Sequence, residues 1–178
     1  SWGGTPVEAW TSNQVINEIG DFDDILKGFD DISDQKETSD WFSKWKSIAI
    51  PVGDKQWDQL VVYDSEFKQV DYDDSQWNQV YLPGQFDAIT QVDFDGVMWF
   101  RKTVHIRDLR SDYTLEIEAI DDMDIIYING NKVGGFAGTN YSNSKRTYKV
   151  PKRFLNKGAN TIAIRAIDIG GPGTFKGP

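Results

Sequence analysis

"DIIYINGNKVGGF", residues 124–136, decides the fold. Two short runs rich in β-branched and aromatic residues flank Asn129-Gly130. That pair suits a tight hairpin in which glycine supplies the positive φ. The same grammar continues outward on both sides. Toward the N-terminus come "YTLEIEAI" (113–120), "GVMWFRKTVHI" (96–106), "WNQVYLP" (77–83) and "QLVVYD" (59–64). Toward the C-terminus come "RTYKVP" (146–151) and "NTIAIRAID" (160–168). Short strands separated by turn signals, with no helix-length periodic segment among them, predict a mainly β chain folded as an antiparallel sandwich.

The residues ahead of these strands follow another period. Thr5 as N-cap, Pro6 in the first turn and Glu8 behind it predict a short helix from Val7 to about Ser12. Val15, Ile16 and Ile19, then Ile25, Leu26 and Phe29, continue at helical spacing, and "SDQKETSDWFSKWKSIAI" (33–50) adds a third helical candidate with Trp41, Phe42 and Trp45 along one side. The expected organisation is a helical leader over 1–54 and a β-sandwich over 55–178. The acidic-aromatic turns "DFDD", "GFDD", "DYDD" and "DFDG" are irregularly spaced, which makes them solvated turns and excludes a solenoid.

Composition sets the outer bounds. A chain of 178 residues holds one domain of ordinary size with a full core, plus a helical appendage. At 39% hydrophobic and 13% aromatic it is too rich in core formers to be disordered, even with a net charge of -9. The acidic balance, unbroken by any Lys/Arg cluster, argues against nucleic acid and against a membrane surface as partners. There is no cysteine, hence no disulfide framework and no thiolate metal site.

Few residues offer chemistry. The one histidine, His105, falls inside a predicted strand, and no G-x-S-x-G, G-D-S or G-Q-S motif accompanies it. A serine triad within this chain is therefore not expected. Paired carboxylates of the glycosidase kind must face each other about 5 to 9 Å apart, and acidic residues concentrated in turns serve local backbone hydrogen bonds instead. Asp121, Asp122 and Asp124 cluster before a strand and are the candidate ligands for a structural calcium, without the glycine and terminal glutamate of an EF-hand loop. No other cofactor is implied.

Sugar recognition has better material. Within 96–106, Met98, Phe100, Val104 and Ile106 form the more apolar alternation, so Trp99, Arg101, Thr103 and His105 share the opposite face. An aromatic platform beside planar polar groups is what a pyranose ring requires. The loop "GFAGTNYSNSKR" (135–146) adds Asn140, Tyr141 and Arg146. Trp99, Arg101, Tyr141 and Arg146 are accordingly the candidate ligand-binding residues. The competing reading has Trp99 packed against a neighbouring domain or the helical region, with Arg101 stacked or ion-paired beside it.

Several stretches carry a family resemblance. "SWGGTPVEAWTS" (1–12) resembles the segment that closes the first half of the hydrolase domain in the sialate O-acetylesterase family, enzymes of the Ser-Gly-Asn-His type. "DDSQWNQVYLPGQF", "DGVMWFRKTVHI", "LEIEAIDDMDIIYINGNKVG", "YSNSKRTYKVPKRFL" and "KGANTIAIRAIDIGGPGTF" follow in order over about 71–175. They resemble the β-sandwich inserted into those enzymes, which is similar to the sugar-binding domain of family-two glycoside hydrolases and has a galactose-binding-domain-like jelly roll. The resemblance implies a chain that starts inside an esterase domain, with the catalytic serine motif upstream and the acid and base residues downstream. Of that apparatus only the Gly3-Gly4 turn has a counterpart, where the Gly4 backbone N–H would serve an oxyanion hole. It further implies the remaining esterase domain as partner, a glycan as the parent's substrate, a periplasmic, secreted or lysosomal setting, and one more strand after "GGPGTFKGP". This chain would be the non-catalytic accessory domain. An autonomous carbohydrate-binding module and a spacer without ligand are the alternatives.

Overall fold

A computed structural model describes residues 44–52, 64–109, 111–138 and 142–176. The expected helices before residue 44, Gly4, most of "QLVVYD", Asn140 and Tyr141 lie outside these residues. The chain divides after Asp40, and the unit Trp41–Pro178 holds everything described below.

The described residues form an antiparallel jelly-roll sandwich. One layer is a six-stranded sheet in the order β2-β1-β4-β10-β7-β8, built from β1 (Lys44–Pro51), β2 (Asn78–Tyr81), β4 (Gly96–Ile106), β7 (Met123–Ile128), β8 (Asn131–Phe136) and β10 (Gly158–Asp168). The other layer comprises β3 (Gly84–Gln85), β11 (Thr174–Lys176) and β6 (Ala119–Ile120) in that order, together with the pair β5 (Tyr113–Ile117) and β9 (Arg146–Val150). A five-residue helix α1 (Phe86–Thr90) follows β3.

Register explains the core. β4 and β10 pair along their full length, from Gly158 opposite Ile106 to Asp168 opposite Gly96. That alignment puts Met98 and Phe100 on the same inward face as Ile162, Ile164 and Ala166. They meet Ile117, Ile120, Val150 and Phe175 from the second layer in one buried cluster. Burying side chains of this size is worth about 1.5–3 kcal/mol each, so this interface dominates stability.

The predicted hairpin is present, with φ of 48° at Asn129 and 78° at Gly130. Both central residues are left-handed, as a type I′ turn requires. Asn129 does more than turn the chain. Its Nδ2 donates to the Phe154 carbonyl and to Asn160 Oδ1, both at 2.8 Å, and its Oδ1 accepts from the Thr161 amide at 2.8 Å. Asn129→Ala removes these bonds and places a side chain without local hydrogen bonding at positive φ. The expected loss is about 2 kcal/mol in urea unfolding, and a loss under about 0.5 kcal/mol would contradict this role.

One segment departs from expectation. Residues 44–50, read as the end of a helix, belong to β1, which lies between β2 and β4. Trp45 and Ala49 pack in the inner cluster and Ser47 is buried between them, whereas Ile48 and Ile50 pack on the opposite face. Alternation of period two, with neighbours on both sides to complete the ladder, outweighs the helical spacing of the tryptophans. The sandwich therefore already includes Lys44, and the expected boundary at residue 55 is too late. The turn before β3 and the short β3 and β11 pairings also went unforeseen, since two- and three-residue strands carry no period.

Candidate functional site

The proposed sugar platform lies under a cover. Trp99 and Arg101 do share the outer face of β4, but only 1% and 3% of their surfaces are exposed. The segment 64–77 crosses this face and lays Phe67, Tyr72 and Trp77 over it. Phe67 meets the edge of Trp99 with ring centroids 5.9 Å apart, Tyr127 stacks on Trp99 at 5.9 Å, and Phe67 meets the edge of Trp77 at 5.2 Å.

Trp99 Nε1 and the Nε and Nη1 of Arg101, which would have held a sugar there, are bonded within the chain. Trp99 Nε1 donates to Asp64 Oδ2 at 2.9 Å, and the same oxygen accepts from Arg165 Nε at 2.6 Å. Arg101 Nε donates to Asp74 Oδ2 at 2.8 Å, and its Nη1 donates to the carbonyls of Phe67 and Gln69. The guanidinium also lies against the rings of Tyr72 and Trp77, 5.6 and 6.0 Å from their centroids. A buried guanidinium needs this number of acceptors to offset its desolvation. Arg101 is stacked and ion-paired as the competing reading has it, but what covers Trp99 is a segment of the sandwich's own chain, neither a neighbouring domain nor the helical region: these two residues fasten that segment and do not face solvent.

Arg146 has a second buried role. It starts β9 with no exposed surface, and its Nε donates to Asp124 Oδ1 at 2.7 Å across to β7 in the six-stranded sheet. Nη2 reaches the carbonyls of Ile120 and Asp122, Nη1 that of Ser144, and the Tyr148 hydroxyl donates to the other Asp124 oxygen. Gly134 makes room for Tyr148, because a Cβ there would sit 2.1 Å from the ring. Burial raises the Asp124 carboxyl above its ordinary range even though Tyr148 and Arg146 act to lower it, and the same burial, with the carboxylate's charge, raises the Tyr148 phenol.

This also removes Asp124 from the calcium candidates. Both its oxygens are occupied, and Asp122 Oδ2 accepts from the Ile169 amide. Among the described residues no three Asp, Glu or His side chains gather in a way that could hold a metal ion. His105 stands exposed on β4 opposite Ala159. Asp64 and Asp74, the carboxylates that organise the covered face, were missed in the sequence, because they look like any other acidic turn residues.

The sandwich has counterparts among solved structures. A β-glucuronidase of Bacteroides uniformis matches at 20% identity and a TM-score of 0.56, over 75% of this chain and 16% of that one. A family 2 glycosyl hydrolase of Bacteroides cellulosilyticus matches at 17% identity and a TM-score of 0.58, over 76% and 19%. The β-glucuronidase of Ruminococcus gnavus matches at 13% and 0.52, over 71% and 20%. The likeness is one of fold. The chain spans about a sixth to a fifth of the length of these enzymes. No protein-family model matches it, and no curated protein does.

Proposed function

We propose that the chain is an accessory domain of a carbohydrate-active hydrolase, without catalytic activity of its own. The observation that carries this reading is the recurrence of its sandwich as a small part of much longer glycoside hydrolase chains. The described residues add no catalytic set: His105 is exposed on a strand, and the acidic residues of the covered face are committed to Trp99, Arg101 and Arg165.

The finer proposal is a parent of the sialate O-acetylesterase type, a serine hydrolase that removes O-acetyl groups from sialic acid or other glycans. It rests on the resemblance of residues 1–12 and of the ordered stretches over 71–175. The partner is then the rest of that esterase, in a periplasmic, secreted or lysosomal setting. Within it the sandwich serves as a scaffold, since Trp99, Arg101 and Arg146 are bound to partners inside the chain and are not presented to a glycan. Incubating the 178-residue chain with a chromogenic acetyl ester, and separately with a chromogenic glucuronide, tests the lack of catalysis. Release of chromophore is expected to equal that of a heat-killed control; turnover above it would overturn the proposal.

A further inference from the structure

One end of the sandwich collects three acidic residues around the carboxyl of a fourth, which has no hydrogen-bond partner for one of its oxygens. Asp168 closes β10 on the inward alternation of Ile164 and Ala166, 1% exposed, opposite Gly96 and so next to Asp95. Its Oδ1 accepts from the Gly170 amide at 3.1 Å, but its Oδ2 is buried without a hydrogen bond, as is Thr174 Oγ1 at the start of β11. A Cβ on Gly173 would lie 2.0 Å from that Oδ2, so the carboxyl occupies the space beside Gly173, in the segment that leads into β11. Asp121 and Asp122, in the turn between β6 and β7, complete the group, and their amides donate to Thr174 O and Ile167 O.

A buried carboxylate beside like charges and without a full set of donors is neutralised by a proton or a cation. Among the described residues no three acidic groups converge here to hold a metal, which favours the proton. We propose that Asp168 is a pH-sensitive latch: in its protonated form it lets residues 169–176 close over this end of the sandwich, and in its ionised form it loosens them. What closure achieves is visible in the contacts. Phe175 of β11 packs against Trp45 and Phe100, and the Gly173 carbonyl accepts from the Phe86 amide at 2.9 Å. β11 itself is held by only two residue pairs to β3 and two to β6. Among the described residues, the charges facing the group are Asp95 beside β4 and Asp121 and Asp122 from the β6–β7 turn, which repel it, while Lys176 on β11 and Arg146 on β9 act on Asp121.

Burial first, then these neighbours, raise the Asp168 carboxyl from 3.8 to about 6. With the folded value raised, the stabilisation is complete below the ordinary value and is lost as pH rises from about 4 to about 6. At tenfold per unit, opening of β11 rises by up to about 100-fold across that window and levels off above it.

Hydrogen exchange of the Phe86, Asp121 and Phe175 amides, corrected for intrinsic rates and followed from pH 4 to 7.5 in EDTA, tests the latch. The chain is expected to lose protection at these amides between pH 4 and 6, and Asp168→Asn to hold it flat. Asp122→Asn, which removes one repelling charge, is expected to shift the loss to lower pH. Unchanging protection in the unmodified chain would overturn the proposal, as would an Asp168→Asn profile that matches it. Protection restored at pH 7.5 when millimolar calcium replaces the EDTA would also overturn it, by making a cation the neutralising species.

Discussion

Arg146→Ala is expected to destabilise the domain by about 3–5 kcal/mol at pH 7, read from urea unfolding. The guanidinium and the Asp124 carboxylate are both fully buried, and the pair spans the two layers of the sandwich. Removing the cation leaves a charge in the core that retains one donor, the Tyr148 hydroxyl. It also strips the carbonyls of Ile120, Asp122 and Ser144 of their common donor. Two further outcomes separate this from a simple cavity. The loss should shrink as pH is lowered, because Asp124, whose carboxyl burial already raises, can then take up a proton and needs no counter-charge. The double replacement Asp124→Leu with Arg146→Met should cost less than Arg146→Ala alone, since paired apolar groups of similar size leave no buried charge. Equal losses at pH 5 and pH 7 would contradict the electrostatic account.

Trp99→Ala carries an effect of similar size, about 3–5 kcal/mol. The ring is the centre of the covered face, touching Phe67 and Tyr127, and its Nε1 shares Asp64 with Arg165. Truncation opens a cavity and weakens the hold on the segment 64–77 together. Trp99→Phe keeps most of the ring contact and loses the donor, for about 1–2 kcal/mol. An exposed sugar platform behaves differently: truncating it costs affinity and leaves the unfolding midpoint within about 0.5 kcal/mol of its original value.

The strands were legible where their period was long enough to read. β4 and β8 have the bounds that alternation and the Asn129-Gly130 turn predict, and β7, β9 and β10 differ from their expected ranges by no more than two residues. β1 was lost to a coincidence of spacing, since Trp41, Phe42 and Trp45 satisfy a helical period while the strand's own evidence is its sheet neighbours.

The outer face of the sheet was misjudged for a reason the sequence does contain. "VMWF" and "TIAI", with "DIIYI" beside them, are near-continuous apolar runs of the kind that strands buried on both faces display. Weighing Ala163 and Tyr127 along with Trp99 would have pointed to a covered face. What covers it was not readable, because "DSEFKQVDYDDSQW" (64–77) has the composition of a solvated loop and its aromatics gain a destination only through tertiary contact. Arg146 posed the same problem in reverse. A basic residue at the end of a polar loop looks exposed, and its carboxylate partner lies 22 positions earlier on another strand.

We propose this sandwich as a scaffold within a carbohydrate-active parent, with Trp99 and Arg101 spent on holding its own chain together. The direct test is calorimetric titration of the 178-residue chain with acetylated and plain sialosides and with common plant oligosaccharides. Flat traces across the panel are the predicted result. Saturable binding that is lost in Trp99→Phe or Arg101→Lys, with the fold intact by circular dichroism, would contradict the account and make the covered face a recognition site.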